Sequence, residues 1–350
     1  MTTITTAQNA THSTITHSTV IQSTVIQSTT PVSVPLSVIT TCYGRNRHLC
    51  NLLSSLAQGS VKPAEVIIVN DDADLERLAE YDLNIIKIAT TEHGLADNAS
   101  FDIGRNRNLG AARATHDAMI FLDVDCIVAP TFIEQLYSKL QAHPNALLMG
   151  QPRYLTRPLT DDESHQLQQG VLACDYLNKL SVFNPYRDNF YSQKQDLEQW
   201  NSQQDTESYT SIKQTQDYGA FWSLCFAIMR SQFEQIGGFD TSYIGYGAED
   251  TDFAFMAQAL NIDFYLTNDV IYHQQHSVYR PPLNHLDSIV MNANRFYEKW
   301  QHWPMSGWLA EFAQLQLIDW RDTQTVPIGI NRQPSDAEIT AVHYPDAPYV

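Results

Sequence analysis

Ala118-Met119-Ile120-Phe121-Leu122-Asp123-Val124-Asp125 is the stretch on which the reading of this chain turns. Five apolar residues without a charge read as a strand buried on both faces. The strand runs straight into two carboxylates one residue apart. Alternate side chains of an extended segment share a side, so Asp123 and Asp125 are expected to face the same way. Two carboxylates together need a cation or a proton between them. A hard divalent metal with oxygen ligands meets that need and can also bridge phosphate oxygens. Taken alone, the same tripeptide is equally a solvated turn after a strand.

Working outward from it, the upstream sequence supplies a fold. Leu36-Ser37-Val38-Ile39-Thr40 reads as a first strand. Leu49, Leu52, Leu53 and Leu56 mark a helix that ends at Gly59, and Pro63 precedes a second strand, Glu65–Val69. Asn84–Ile88 reads as a third strand. Residues 104–116 read as a helix with Leu109, Ala112 and Arg113 on one face. Strands alternating with helices predict an α/β fold around a parallel, doubly wound sheet. In such sheets ligands bind beyond the carboxyl ends of the strands. Cys42–Arg45, Asp71–Asp74 and Asp123–Asp125 all fall there, which predicts one shared site.

Downstream, residues 151–217 are polar and weakly patterned, and read as an insertion that is helical around 163–180. Residues 218–276 are dense and apolar again. Residues 285–320 read as helical, through Ile289, Phe296, Trp300, Trp303, Trp308, Phe312 and Leu315. The last thirty or so carry proline and no period. At the other end, residues 1–34 hold a pentapeptide repeat (Thr11–Ile15, Thr16–Val20, Ile21–Val25, Ile26–Thr30) without a charged side chain, and read as a low-complexity disordered tail. The expected division is a tail over 1–34, an α/β domain over 35–280 containing the 151–217 insertion, and a helical extension over 281–350.

The composition narrows the partners. The formal charge of -18 over 350 residues makes nucleic acid a poor partner. The five cysteines are scattered and odd in number, which argues against a disulfide framework or structural zinc and fits a reducing cytosol. No run is long and apolar enough to span a bilayer. Cytoplasmic residence is expected, with peripheral contact at the inner membrane face for a membrane-linked substrate.

Three further clusters carry chemistry. Glu249-Asp250-Thr251-Asp252 comes after a glycine-rich, aromatic loop and opens a helix. Carboxylates there are favoured by the helix dipole in any protein; the functional reading is a general base. His273 comes after the strand-like Asp269–Tyr272, with His276 three residues on. Either imidazole could ligate a metal, and imidazole suits Mn2+ better than Mg2+. Arg105 and Arg107 lie near a helix start, suited to phosphate or to the chain's own carboxylates.

These residues together resemble the GT-A fold glycosyltransferases, in particular family 2, with a C-terminal half similar to the β-1,4-galactosyltransferase and chondroitin-polymerase type. Ser37–Arg45 resembles the first strand and nucleotide-binding loop. Val69–Asp74 resembles the segment that holds the base, and Arg107–Gly110 the helix before the metal motif. Tyr218–Ser223, Ile236–Asp240 and Tyr246–Phe253 resemble the family's acidic segment. The resemblance implies a single catalytic domain with a Rossmann-like, doubly wound mixed sheet. It also implies that Thr41, Tyr43, Arg45, Asp71 and Asp72 line the nucleotide pocket, joined by Arg105, Arg107, Asp123 and Gly219. Asp125 and His273, with Asp123, would hold Mn2+ or Mg2+. Asp250 would be the base with Glu249 as its partner, and Trp222 and Tyr246 would shape the sugar pockets. Asn70, Ala73, Tyr246 and Ala248 depart from the usual residues.

The resemblance thus implies metal-dependent transfer from a UDP-sugar to a hydroxyl of an oligosaccharide, polysaccharide or lipid-linked glycan. A carboxylate at 250, where retaining relatives tend to carry Asn, favours inversion. A retaining N-acetylgalactosaminyltransferase-like enzyme and a non-catalytic glycan- or nucleotide-binding module stay open as alternatives. A nucleotidyltransferase would need a glycine-rich loop after the first strand, where only Gly44 stands.

Overall fold

The computed structural model describes residues 32–70, 75–89, 102–184 and 211–347. The pentapeptide repeat, Asp71 and Asp72 lie outside the described residues. In chain order the described elements begin β1 (Val32–Cys42), α1 (Asn46–Ala57), β2 (Val61–Asn70), α2 (Leu75–Leu78), β3 (Ile85–Ile88), α3 (Ile103–Arg113), β4 (Ala118–Leu122) and β5 (Cys126–Val128). They continue α4 (Phe132–Ala142), β6 (Ala146–Leu155), α5 (Asp161–Gln168), α6 (Cys174–Leu180), β7 (Ser181–Val182), β8 (Ile212–Thr215), β9 (Cys225–Met229) and α7 (Arg230–Ile236). The last are α8 (Glu249–Ala259), β10 (Asp263–His273), β11 (Val278–Tyr279), α9 (Leu286–Trp300), α10 (Ser306–Gln314), α11 (Asp336–Ala341) and β12 (His343–Tyr344).

The main sheet runs β3-β2-β1-β4-β9-β6-β10-β5, with β7 beside β6 and β8 beside β10. Strands β3, β2, β1 and β4 are parallel, as the alternation predicts. The reversed strand β9 then sits antiparallel between β4 and β6, and β6 and β10 are parallel to each other. The sheet is therefore mixed. β4 is buried on both faces: Ile120 and Leu122 join the layer with α1 and α4, while Met119 and Phe121 join Phe226, Phe239 and Phe253 on the other side.

Three local expectations change. The buried face of α3 is Gly104, Asn106, Arg107, Gly110 and Ala111, whereas Ala112 and Arg113 are exposed. The reason is close approach: a side chain at Gly110 would come within 2.4 Å of Ile39 on β1. The single helix expected over 285–320 is two, broken where Gln301 and Met305 take left-handed backbone around Pro304. Finally, the 151–217 stretch is partly sheet: residues to Leu155 finish β6 and Ile212–Thr215 pair with β10, with α5 and α6 between. Helices α9 and α10 build a separate apolar cluster from Leu286, Ile289, Val290, Leu309 and Phe312, capped by Trp303 and Trp320. No described helix is long and apolar enough to cross a membrane.

Candidate active site

The end of β4 does not continue as an extended segment. The Cys126 N–H donates to the Asp123 carbonyl at 3.0 Å, so Asp123–Cys126 is a tight turn. The alternation expected of the two carboxylates accordingly fails, and each side chain finds its own company. Asp125 is buried, and its Oδ2 accepts from Arg45 Nη1 at 2.5 Å. Nε2 of His273 and of His276 each lie 3.5 Å from an Asp125 oxygen. Donor atoms of Asp125, His273 and His276 all fall within 4.8 Å of one another. The strands explain the meeting: His273 ends β10 directly opposite Cys126 of β5, and the Gln274 N–H donates to the Asp125 carbonyl at 2.7 Å.

The electrostatics suit a cation. Burial alone would raise the Asp125 carboxyl, but His273, Arg45, His276 and His48 outweigh it and bring it down to about 2. Burial holds both His273 and His276 below the usual imidazole range, against the pull of Asp125, so both are neutral near pH 7 and could serve as ligands. Asp125 Oδ1 is buried and accepts no hydrogen bond among the described residues. An anionic carboxylate oxygen facing two neutral imidazoles is a donor set that fits Mn2+.

Asp123 pairs with a different cation. Its Oδ1 accepts from Arg107 Nη2 at 2.7 Å, and Arg107 Nη1 lies 3.9 Å from Glu249 Oε1. The buried Arg107 guanidinium also stands 5.1 Å over the ring of Phe239. It thus joins the turn after β4 to the start of α8. Burial raises the Asp123 carboxyl, with Arg107 opposing. Burial, then the neighbouring charge of Asp250, push Glu249 up to about 8. Asp250 is raised by burial against Arg107, and accepts from the Thr251 N–H at 2.7 Å. The third acid, Asp252, belongs to the scaffold. Tyr243 and Trp300 donate to it at 3.1 and 2.7 Å, and Lys299 at 2.9 Å.

The other expected residues divide. Thr41 is buried at the end of β1, and Tyr43 is 66% exposed just beyond it. Gly219 lies in a short 3-10 turn, Tyr218–Ala220. The Trp222 N–H donates to Met149 Sδ at 3.3 Å, and the neighbouring Ser223 backbone helps to hold the Asp250 carboxyl down. Tyr246 stacks on His285 at 4.6 Å and on Trp308 at 5.7 Å. Arg105 closes its backbone N–H on the helix-capping Asp102. Two residues escape the sequence reading. His48, on the first turn of α1, shares the field of Asp125, Arg45 and His273. It also borders a cavity of about 280 Å³ with Arg47, Gln275 and His276. Its only sequence signal is its place just after a strand's carboxyl end. Asn292 on α9 has none: it is one polar residue on an apolar helix face.

Comparison with known proteins gives the same outline. The glycosyl transferase family 2 model matches residues 37–212, half of the chain. A model described as the N-terminal domain of galactosyltransferase matches 207–277. A validoxylamine A glucosyltransferase of Streptomyces hygroscopicus subsp. limoneus is 20% identical over 278 residues, covering 75% of this chain and 56% of that protein. An uncharacterised glycosyltransferase of Haemophilus influenzae is 29% identical over 143 residues, covering 37% of this chain and 45% of its own. The chain thus spans about half the length of the curated relatives it matches. Among solved structures, TarS 1–349 of S. aureus superposes with a TM-score of 0.46 at 13% identity, covering 75% of this chain and 65% of that one. GalNAc-T7, solved with UDP, GalNAc and Mn2+, gives 0.45 at 14%, covering 68% and 42%. On the family-model match, which spans β1 to the first residue of β8, this chain belongs to glycosyl transferase family 2.

Proposed function

We propose that the chain transfers a sugar from a UDP-sugar to a glycan hydroxyl with inversion, using a divalent cation at Asp125, His273 and His276 and Asp250 as the base. The observation that carries the reading is the reach of one guanidinium. Arg107 pairs at 2.7 Å with Asp123, two residues before Asp125 of the metal-fit cluster, and lies 3.9 Å from Glu249 of the Glu249–Asp250 pair. Mn2+ at that cluster would neutralise the leaving diphosphate. Arg45, against Asp125, is placed to add a fixed positive charge beside the same oxygens. Asp123 orients through Arg107 and is left to accept hydrogen bonds from the donor's ribose or sugar. Asp250, raised by burial, is a better proton acceptor than an exposed Asp, and its second oxygen is free of the Thr251 bond. Glu249, protonated near neutral pH, is a hydrogen-bond donor to the acceptor and does not compete for its proton.

Release of UDP across UDP-glucose, UDP-galactose and their N-acetyl forms, with Mn2+ and with chelator, tests the reading. A metal-dependent signal from one donor is expected. Asp250→Asn should keep the donor KM and lose kcat by roughly 10²–10⁴-fold. Full turnover in that variant would remove the base assignment.

A further inference from the structure

The acids at the start of α8 are delivered by a short loop, Tyr243–Ala248, whose backbone is unusual. Gly245 and Gly247 have φ of 80° and 98°, and Ala248, not glycine, has φ 72°. Such a path needs outside support, and it comes from the far end of the chain. The Asn292 amide on α9 donates to the carbonyls of Ile244, Tyr246 and Gly247 at 3.1, 3.3 and 3.0 Å. The loop lies hard against the same helices: a Cβ on Gly245 would sit 2.7 Å from Ser288, and one on Gly247 2.5 Å from Met305 Sδ. Both family models end at or before residue 277, so every one of these supports lies outside the matched segments.

Asn292 is a costly choice for packing alone. It is 1% exposed, its neighbours Ile289, Val290, Ala293 and Phe296 are apolar and buried, and its Oδ1 has no partner among the described residues. A leucine would fill that space without a dry Oδ1, at the cost of the donor to the three loop carbonyls. What only an amide supplies is two hydrogens for three carbonyls on one loop.

We propose that Asn292 is a positioning residue for Glu249 and Asp250, fixing the loop that carries them from outside the family's core. The functional half of this rests on the reading of Asp250 as base; the positioning half does not. The full chain carrying Asn292→Ala is compared with Asn294→Ala, two residues on. Asn294 bonds the backbone of Ile328, N–H to carbonyl at 2.9 Å and carbonyl from N–H at 2.6 Å, and has no hydrogen bond to the loop among the described residues. Hydrogen exchange of peptides across 243–252 is read by mass spectrometry, beside Mn2+-dependent UDP release. Asn292→Ala should speed exchange in those peptides about tenfold or more, and lower kcat by at least about tenfold with the donor KM kept. Asn294→Ala should lower the melting temperature while leaving exchange at 243–252 and kcat near wild type. Unchanged exchange in Asn292→Ala, or an equal rise in both variants, overturns the proposal. If Asn292→Ala is insoluble, Asn292→Leu removes the same amide hydrogens while filling the space, and unchanged exchange there overturns it too. Failure of the base reading shows separately, as full turnover in Asp250→Asn, while the positioning of the loop is still decided by exchange.

Discussion

Asp123 and Asp125 stand two residues apart, and their carboxyls are shifted in opposite directions. Asp125 is held down to about 2 by three imidazoles and a guanidinium, whereas Asp123 is raised by burial with Arg107 opposing. On the proposed metal reading, removing Asp125 should weaken ion binding at the cluster. Asp125→Ala is expected to weaken Mn2+ binding by at least about 100-fold in calorimetry, since the anionic member of the three-ligand cluster is lost. Binding at wild-type strength would take the metal site away from this cluster. Glu249 gives a pH signature. Its carboxyl is raised to about 8 in the folded chain from an ordinary value of 4.5. Between those values the folded protein keeps a proton that the unfolded chain has lost. Stability from this group is thus complete below about 4.5 and falls as pH rises toward 8. Glu249→Gln should flatten that decline and raise the melting temperature at pH 8 relative to pH 5. A parallel shift at both pH values would show that the carboxyl does not titrate there. Arg107 was legible as a cation near a helix start, but not its choice between phosphate and carboxylate. That choice rests on Asp123 at 2.7 Å and on Glu249 at 3.9 Å, the second far along the chain and invisible to local pattern.

At the scale of elements, α8 is anchored at its start by Asp252 and backed by α9. Asp252→Ala would leave the Trp300 N–H and the Lys299 ammonium without their buried acceptor. A loss of about 3 kcal/mol in denaturant unfolding is expected; a loss under about 0.5 kcal/mol would mean Asp252 is not structural. β4 was readable to the residue, because five apolar residues between turn signals have one solution. The parallel half of the sheet was readable for the same reason, from repeated strand and helix periods. β8 and β9 were not: Ile212–Thr215 is short and half polar, and the reversal of β9 is set by what lies beside it. α3 misled because its tight fit relies on glycine, which carries no hydrophobic signal. α11 was legible in principle, through Ser335 and Glu338 as a capping box, yet it has no buried residue to reveal a period.

For the molecule as a whole, the C-terminal helices complete the α/β domain and are more than an appendage. Tyr243, Ala248 and Phe296 form one small cluster that Phe255 and Trp300 join. A chain ending at residue 280 should expose that cluster and aggregate, read as loss of soluble protein and of near-ultraviolet circular dichroism. Deletion of residues 1–30, which precede β1 in the chain, should move the melting temperature by less than about 2 °C; a larger drop would assign the repeat a structural task.

The pairing of His273 with Cys126 across β10 and β5 has a temporal meaning as well. Asp125 and His273 are far apart along the chain and meet only when the closing strands of the sheet have docked in register. A one-residue slip would turn His273 to the opposite face. On the proposed metal reading, ion capture would then be a checkpoint: Asp125 and His273 form one site only after β5 and β10 have paired, and a bound ion would act as a removable staple across that long loop.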